Sequence, residues 1–306
     1  MPVIDLSLPR VEATLGGAFE ASGIGLHTGR VSRLKALPAP EGHGVRFVRA
    51  TKRGPAEVPA LWPNRRSRPL CTALQVGDGP LVRTVEHLLA ALSALAIDNA
   101  RIELDGEEVP ILDGSAAPWC DRILAVGRAE QAAPRRYLKV RKRVAYAEKA
   151  HRLRIDPAER FELEVAITLS HFGQLKWIGR PTPDAFPREL APSRSFGRLK
   201  WALPAKILGV FLRFGEPVLR GASPENVVAL YGAGAIGGLR MPDEPVRHRA
   251  LDLVGDLALA GHPLLGRVFA SRPGHDPNFG LLSALMRDPE ATELATVGED
   301  GALRRA

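Results

Sequence analysis

Apolar residues recur along this chain with two different periods, and the periods predict where it forms strands and where helices. Alternating or β-rich stretches at 45–48 and Ala100–Leu104 predict strands, the second closed by an Asp105-Gly106 turn. Between them Thr84 is placed to cap a helix over 85–95. Beyond Glu86 and His87 that helix is apolar nearly all round, which predicts burial. Asp113 is read as the cap of a second helix through 116–126, ended near Gly127. The polar, Pro-containing stretch 128–134 then reads as a linker.

Past the linker, 137–144 and 152–168 read as strands, with a turn at Asp156-Pro157. The stretch 200–212 is strongly apolar. A helix starts at Asp243 with Pro245 near its first turn, and Gly261 and Pro263 close it. Val85-Glu86-His87 and Val246-Arg247-His248 share a faint likeness that hints at two similarly built halves.

Composition narrows the class. With 306 residues, 45% of them hydrophobic, the chain can bury a large core, and its two cysteines, Cys71 and Cys120, cannot staple it, which points to a reducing compartment. The longest nearly apolar run, 88–97, is about half of what spans a bilayer, so a soluble cytoplasmic protein without a membrane span is expected. A net charge of +8 suits an anionic partner, with basic clusters at Arg65, Arg66 and Arg68 and from Arg135 to Arg143. Aromatics make up only 6% and hardly interleave with those clusters, so no nucleic-acid partner is expected.

Candidate chemistry gathers at four places. On the helix after Asp243, His248, Asp252 and Asp256 follow at i, i+4 and i+8, so three ionisable groups share one stripe. If the stripe faces inward, each group needs a charge, hydrogen-bond or metal partner; the same spacing suits a structural pair or a wet face. Glu86 and His87 open an otherwise apolar helix, where a carboxylate also serves simple dipole compensation. A metal ligated by His87 would leave Glu86 reaching only a metal-bound water, which is the place of a general base. His275, read as a loop residue after an apolar strand, and His27, in a glycine-rich turn, complete the set.

Several runs, taken together, resemble the UDP-3-O-acyl-N-acetylglucosamine deacetylase family, zinc enzymes of lipid A biosynthesis. They are Gly25-Leu26-His27-Thr28-Gly29, Thr84-Val85-Glu86-His87-Leu88-Leu89-Ala90-Ala91-Leu92, Ile97-Asp98-Asn99-Ala100 and Val109-Pro110-Ile111-Leu112-Asp113-Gly114-Ser115-Ala116. Val246-Arg247-His248, Leu251-Asp252, Gly255-Asp256-Leu257 and Gly274-His275 continue the match over nearly the whole chain. The resemblance implies an α+β fold of two similarly built domains, at 1–130 and 135–306. Each would be a sheet packed on two helices, with the helix layers facing each other around the active site.

It also implies roles. His87, His248 and Asp252 would hold Zn2+, Glu86 would be the base, and His275, oriented by Asp256, would stabilise the oxyanion and protonate the departing amine. His27 would lie near the nucleotide, Phe196 would contact the substrate, and Leu203, Ile207, Leu208 and Phe211 would line the acyl-chain passage. The implied substrate is UDP-3-O-acyl-N-acetylglucosamine, whose diphosphate suits the basic excess, and a monomer is expected. Departures are Arg249 for a lysine after the second histidine ligand, Ser195 for a threonine, Glu225-Asn226 for Asp-Asn, and a poor match over 169–192. They bear on substrate affinity more than on reaction type. A diverged homologue that binds the nucleotide-sugar or lipid precursor without turning it over is the alternative.

Overall fold

The protein is described from a computed structural model over residues 8–51, 54–199 and 216–306. Leu203, Ile207, Leu208 and Phe211 lie outside these described residues. The chain is an α+β protein. Its first sheet runs Phe19–Ile24, Val31–Pro38, Ala100–Leu104, Val45–Thr51, Gly54–Pro59; the pair Val45–Thr51 and Ala100–Leu104 is parallel and the others are antiparallel. Side chains alternate across it, so Leu34, Ala36, Phe47, Val58 and Ile102 are buried on one face. That face shares an apolar core with helices α1 (Glu86–Ala94) and α2 (Ala117–Val126).

The second sheet is built around Leu264–Ser271, which pairs with Tyr137–Val140 at Leu264 and Leu265 and with both His151–Asp156 and Phe161–Leu169 over its remaining residues. After the short helix α3 (Phe186–Glu189) come α4 (Glu244–Leu257) and α5 (His275–Arg287). One apolar cluster runs from the first sheet through α1 and α4 to the second. Gly255 permits the closest approach between these helices: a Cβ there would stand 2.0 Å from the Glu86 carbonyl oxygen. Any side chain would push α1 off α4. Among the described residues no helix is long and apolar enough to cross a membrane.

Four local expectations change. Asp113 does not cap α2, which has no side-chain cap; its carboxylate accepts from the Ser115 N–H and hydroxyl and pairs with Arg240. The stretch Arg128–Pro134 is not a linker but a strand, antiparallel to Val11–Leu15. Its polar sequence reflects exposure, and the Ala132 and Ala133 N–H groups donate to Glu41. Thr84 does not cap α1, because its backbone is left-handed, with φ 58°, and its hydroxyl donates instead to Glu108 at 2.8 Å. His275 is not a loop residue: it is the first residue of α5, after the extended Gly274.

Candidate active site

Three side chains from two helices converge where α1 meets α4. His87 is one residue into α1, and His248 and Asp252 lie a turn apart on α4, all at most 4% exposed. Nε2 of His87 and of His248 lie 3.6 and 3.4 Å from Asp252 Oδ1. All three ligand atoms fall within 4.8 Å of one another. An ion bound tetrahedrally at about 2.0–2.1 Å holds its ligands about 3.3–3.4 Å apart, so these edges suit one.

Two further observations support a metal. Among the described residues Asp252 Oδ1 is buried without a hydrogen-bond partner, a state that folded proteins avoid. Burial holds His248 down to about 4, so its imidazole is neutral, and Nδ1 is occupied by the Ser193 carbonyl at 3.1 Å, leaving Nε2 for an ion. Burial alone would raise Asp252, but the positive charges of His275 and Arg249 oppose it, and the carboxyl is held well below the usual range.

Beside this triad stands a second group that carries protons. Glu86 is buried in the first turn of α1; its Oε2 accepts the Thr72 N–H at 3.1 Å, and its Oε1 lies 3.8 Å from His275 Nε2. Burial pushes its carboxyl up to about 7, against the pull of His275 and His87. His275 Nδ1 donates to Asp256 Oδ2 at 3.0 Å. Burial would lower this histidine, yet Asp256 and Glu86 raise it to about 10, so it carries its proton at neutral pH. Asp256 also accepts from Thr72 Oγ1 at 2.5 Å and from Asn278 Nδ2 at 2.8 Å.

Thr72 and Asn278 carry no motif that singles them out. A buried threonine in the apolar run Cys71-Thr72-Ala73-Leu74, and an asparagine three residues after His275 on one helix face, were the available signals. Thr72 reaches Asp256 across 184 positions, which no local pattern encodes. Glu108 was also missed: buried, it accepts the His27 and Thr28 N–H groups and the Thr84 hydroxyl, fixing the glycine-rich turn.

The remaining expected residues surround the two groups. Phe196 meets the His248 ring edge-on at 6.0 Å, and the Arg249 guanidinium lies 5.0 Å from the Phe196 ring centroid and 3.3 Å from Asp252 Oδ2. Ser195 is half-buried just before the strand Phe196–Arg198; its N–H donates to Gly114 at 2.7 Å, and its carbonyl accepts the Val228 N–H. Gly114 is required there, since its φ is 82° and a Cβ would stand 1.8 Å from the Asn226 carbonyl oxygen. A buried Arg194–Glu244 pair locks the same segment onto α4. His27 is wholly buried, held by burial down to about 4 and therefore neutral; Nδ1 accepts the Leu219 N–H at 3.5 Å, and Nε2 has no hydrogen-bond partner among the described residues. The basic run after 134 is largely engaged in ion pairs, among them Arg135–Asp98, Lys139–Glu159, Arg141–Glu293, Lys142–Asp288 and Arg143–Asp156.

Groups that can hold an ion beside groups that can exchange a proton are the equipment of metal-dependent hydrolases. Comparison with known proteins gives the family. Residues 12–287 match the family model described as UDP-3-O-acyl N-acetylglycosamine deacetylase, and the chain belongs to that family. Proteins named UDP-3-O-acyl-N-acetylglucosamine deacetylase are similar to it over most of both lengths. That of Myxococcus xanthus is 38% identical over 288 residues, 92% of this chain and 88% of the relative. That of Solibacter usitatus is 38% identical over 290 residues, 94% and 95%. That of Phenylobacterium zucineum is 38% identical over 288 residues, 91% and 94%.

Proposed function

We propose that this chain hydrolyses the N-acetyl group of UDP-3-O-acyl-N-acetylglucosamine, the deacetylation step of lipid A biosynthesis, with zinc held by His87, His248 and Asp252. The observation that carries the reading is the buried, unpartnered Asp252 Oδ1 between two imidazole Nε2 atoms, with Glu86 outside that set. A zinc ion supplies Lewis acidity for the acetamide carbonyl and lowers the pKa of water. Glu86 takes the proton of the attacking water, and its elevated carboxyl suits a base working near neutrality. His275, protonated and held by Asp256, stabilises the oxyanion and then passes its proton to the departing amine as the C–N bond breaks. The products are acetate and the free amine.

Ser195 is placed in this reading as a hydroxyl donor to the oxyanion, Arg249 as positive charge toward phosphate or the reacting centre, and His27 and Phe196 as substrate contacts. Arg249 keeps part of its surface open while it packs on Phe196, so its charge remains available to substrate. The domain limits 1–130 and 135–306, a monomeric state and a cytoplasmic location belong to the same proposal. The test is acetate release from UDP-3-O-acyl-N-acetylglucosamine by the purified protein, with metal quantified in the same sample. One zinc per chain with turnover, lost on chelation and restored by zinc, is the expected result. Tight substrate binding without acetate release would overturn it in favour of a non-catalytic homologue.

A further inference from the structure

Thr72 sits in the four-residue strand Cys71–Leu74, every residue of which is buried, and the strand is fixed on both sides by pairing with Arg65–Arg68 and Val82–Arg83. From that rigid position Thr72 makes three bonds that join the parts of the site. Its carbonyl accepts the Val85 N–H at 3.3 Å, immediately before α1. Its N–H donates to Glu86 Oε2 at 3.1 Å, and its hydroxyl donates to Asp256 Oδ1 at 2.5 Å. The same hydroxyl oxygen lies 3.3 Å from His275 Nδ1.

A carboxylate that accepts three donors has a fixed plane. Asp256 takes Thr72 on one oxygen, and Asn278 and His275 on the other. Removing the Thr72 hydroxyl leaves Oδ1 buried without its closest donor, free to turn toward His275 and away from the geometry that sets the ring. A threonine that merely satisfied itself in a strand would bond to nearby backbone; this one crosses from the first half of the chain to α4.

We propose that Thr72 is a positioning residue of the hydrolytic site, its backbone N–H holding the base Glu86 while its hydroxyl holds the Asp256–His275 pair, so that one residue fixes the spacing between proton acceptor and proton donor. This rests on the deacetylase reading of the site. The acting groups remain Glu86 and His275; Thr72 works through them. Valine at this position has nearly the same shape and strand preference and keeps the N–H to Glu86, so Thr72→Val isolates the hydroxyl.

The experiment compares Thr72→Val and Thr72→Ser with the parent in the zinc-loaded full-length protein, measuring kcat, KM and metal content. It also records the His275 imidazole ¹⁵N resonances, assigned with His275→Gln. Thr72→Val is expected to lower kcat roughly tenfold or more, the effect of one lost hydrogen bond to a charged group. KM and metal content should stay within about twofold, and Thr72→Ser should restore kcat to within about twofold. The His275 resonances should shift in Thr72→Val and return in Thr72→Ser. In an Asp256→Asn background Thr72→Val should add less than about a twofold further loss, because the path it acts through is already broken. If Thr72→Val does not fold, Thr72→Ala takes its place with the same expectations.

Unchanged kcat, a loss confined to KM, or unshifted His275 resonances in the valine variant would each overturn the proposal. A parent protein that releases no acetate would overturn the deacetylase reading instead, and the imidazole resonances would still decide whether Thr72 sets the Asp256–His275 pair.

Discussion

Two clusters of buried charge lie toward opposite ends of α1, and they are finished differently. Near the C-terminal end of α1, Asp98 accepts from Arg135 Nε at 2.8 Å and from the Ala13 N–H at 2.9 Å. Arg135 also donates to the Tyr137 hydroxyl, which in turn donates to the Pro9 carbonyl. Beside them Asn99 donates to Glu12 and Gln131, and accepts from Gly44. Asp98 and Arg135 there carry opposite charges that meet, and the Glu12 carboxylate accepts from Asn99 and from the Gly42 N–H, as structural buried polar groups do. At the N-terminal end of α1, the cluster of His87, His248 and Asp252 is more deeply buried yet leaves Asp252 Oδ1 with no hydrogen-bond partner among the described residues. The contrast teaches that burial and charge alone do not mark function; an open valence at the centre of a converging set does.

The sharpest way to break the comparison is to delete a ligand. His87→Ala, His248→Ala and Asp252→Ala should each abolish deacetylation and lower bound metal together, read by acetate release and elemental analysis. Full metal occupancy in His248→Ala would remove it from the ligand set. Next in size is Glu86→Gln, which should keep near-stoichiometric metal while kcat falls about a hundredfold or more. Loss of metal in that variant would make Glu86 a ligand.

The pH profile sharpens the proton-moving side. If Glu86 is the base it must be ionised, so activity should fall as pH drops through its pKa; a dication held beside it would place that limb below the value near 7 that burial, opposed by His275 and His87, sets in its absence. His275 must be protonated, so activity should fall as pH rises toward about 10. Because Asp256 is a main cause of that elevation, Asp256→Asn should move the alkaline limb to lower pH in a kcat/KM profile. An unmoved limb would detach it from His275.

A smaller effect is expected at Arg249. Arg249→Lys should retain much of the activity, whereas Arg249→Ala should lose about tenfold with its metal intact, since only the latter deletes the charge. Parental activity in Arg249→Ala would make it a surface charge on α4. Least in activity, though large in stability, is Asp98→Ala in the paired cluster. It strands the buried Arg135 charge and should lower unfolding stability by about 3–5 kcal/mol in denaturant titration, with kcat unchanged at permissive temperature.

How much of this was legible depended on whether the information was local. The i, i+4, i+8 stripe on α4 and the pair opening α1 carry their message within one helix, so His87, His248, Asp252, Asp256 and Glu86 stood out from spacing alone. The strands 45–48 and Ala100–Leu104 were legible for the same reason, through alternation against a core. Arg128–Pro134 was not, because an exposed ribbon has no buried face to impose a period. Thr84 reads as a cap by residue type, and only the long-range bond to Glu108 redirects it. His275 looks like a turn residue because Pro273, Gly274 and Pro277 surround it, although proline is well tolerated in the first turn of a helix.

The measurement that bears most directly on the contrast is elemental analysis of two variants prepared side by side, Asp98→Ala from the paired cluster and Asp252→Ala from the open one. The expected result is about one equivalent of zinc in Asp98→Ala, as in the parent, and little or none in Asp252→Ala. Equal metal in the two variants would contradict it, since the open carboxylate on α4 would then hold nothing that the paired one does not.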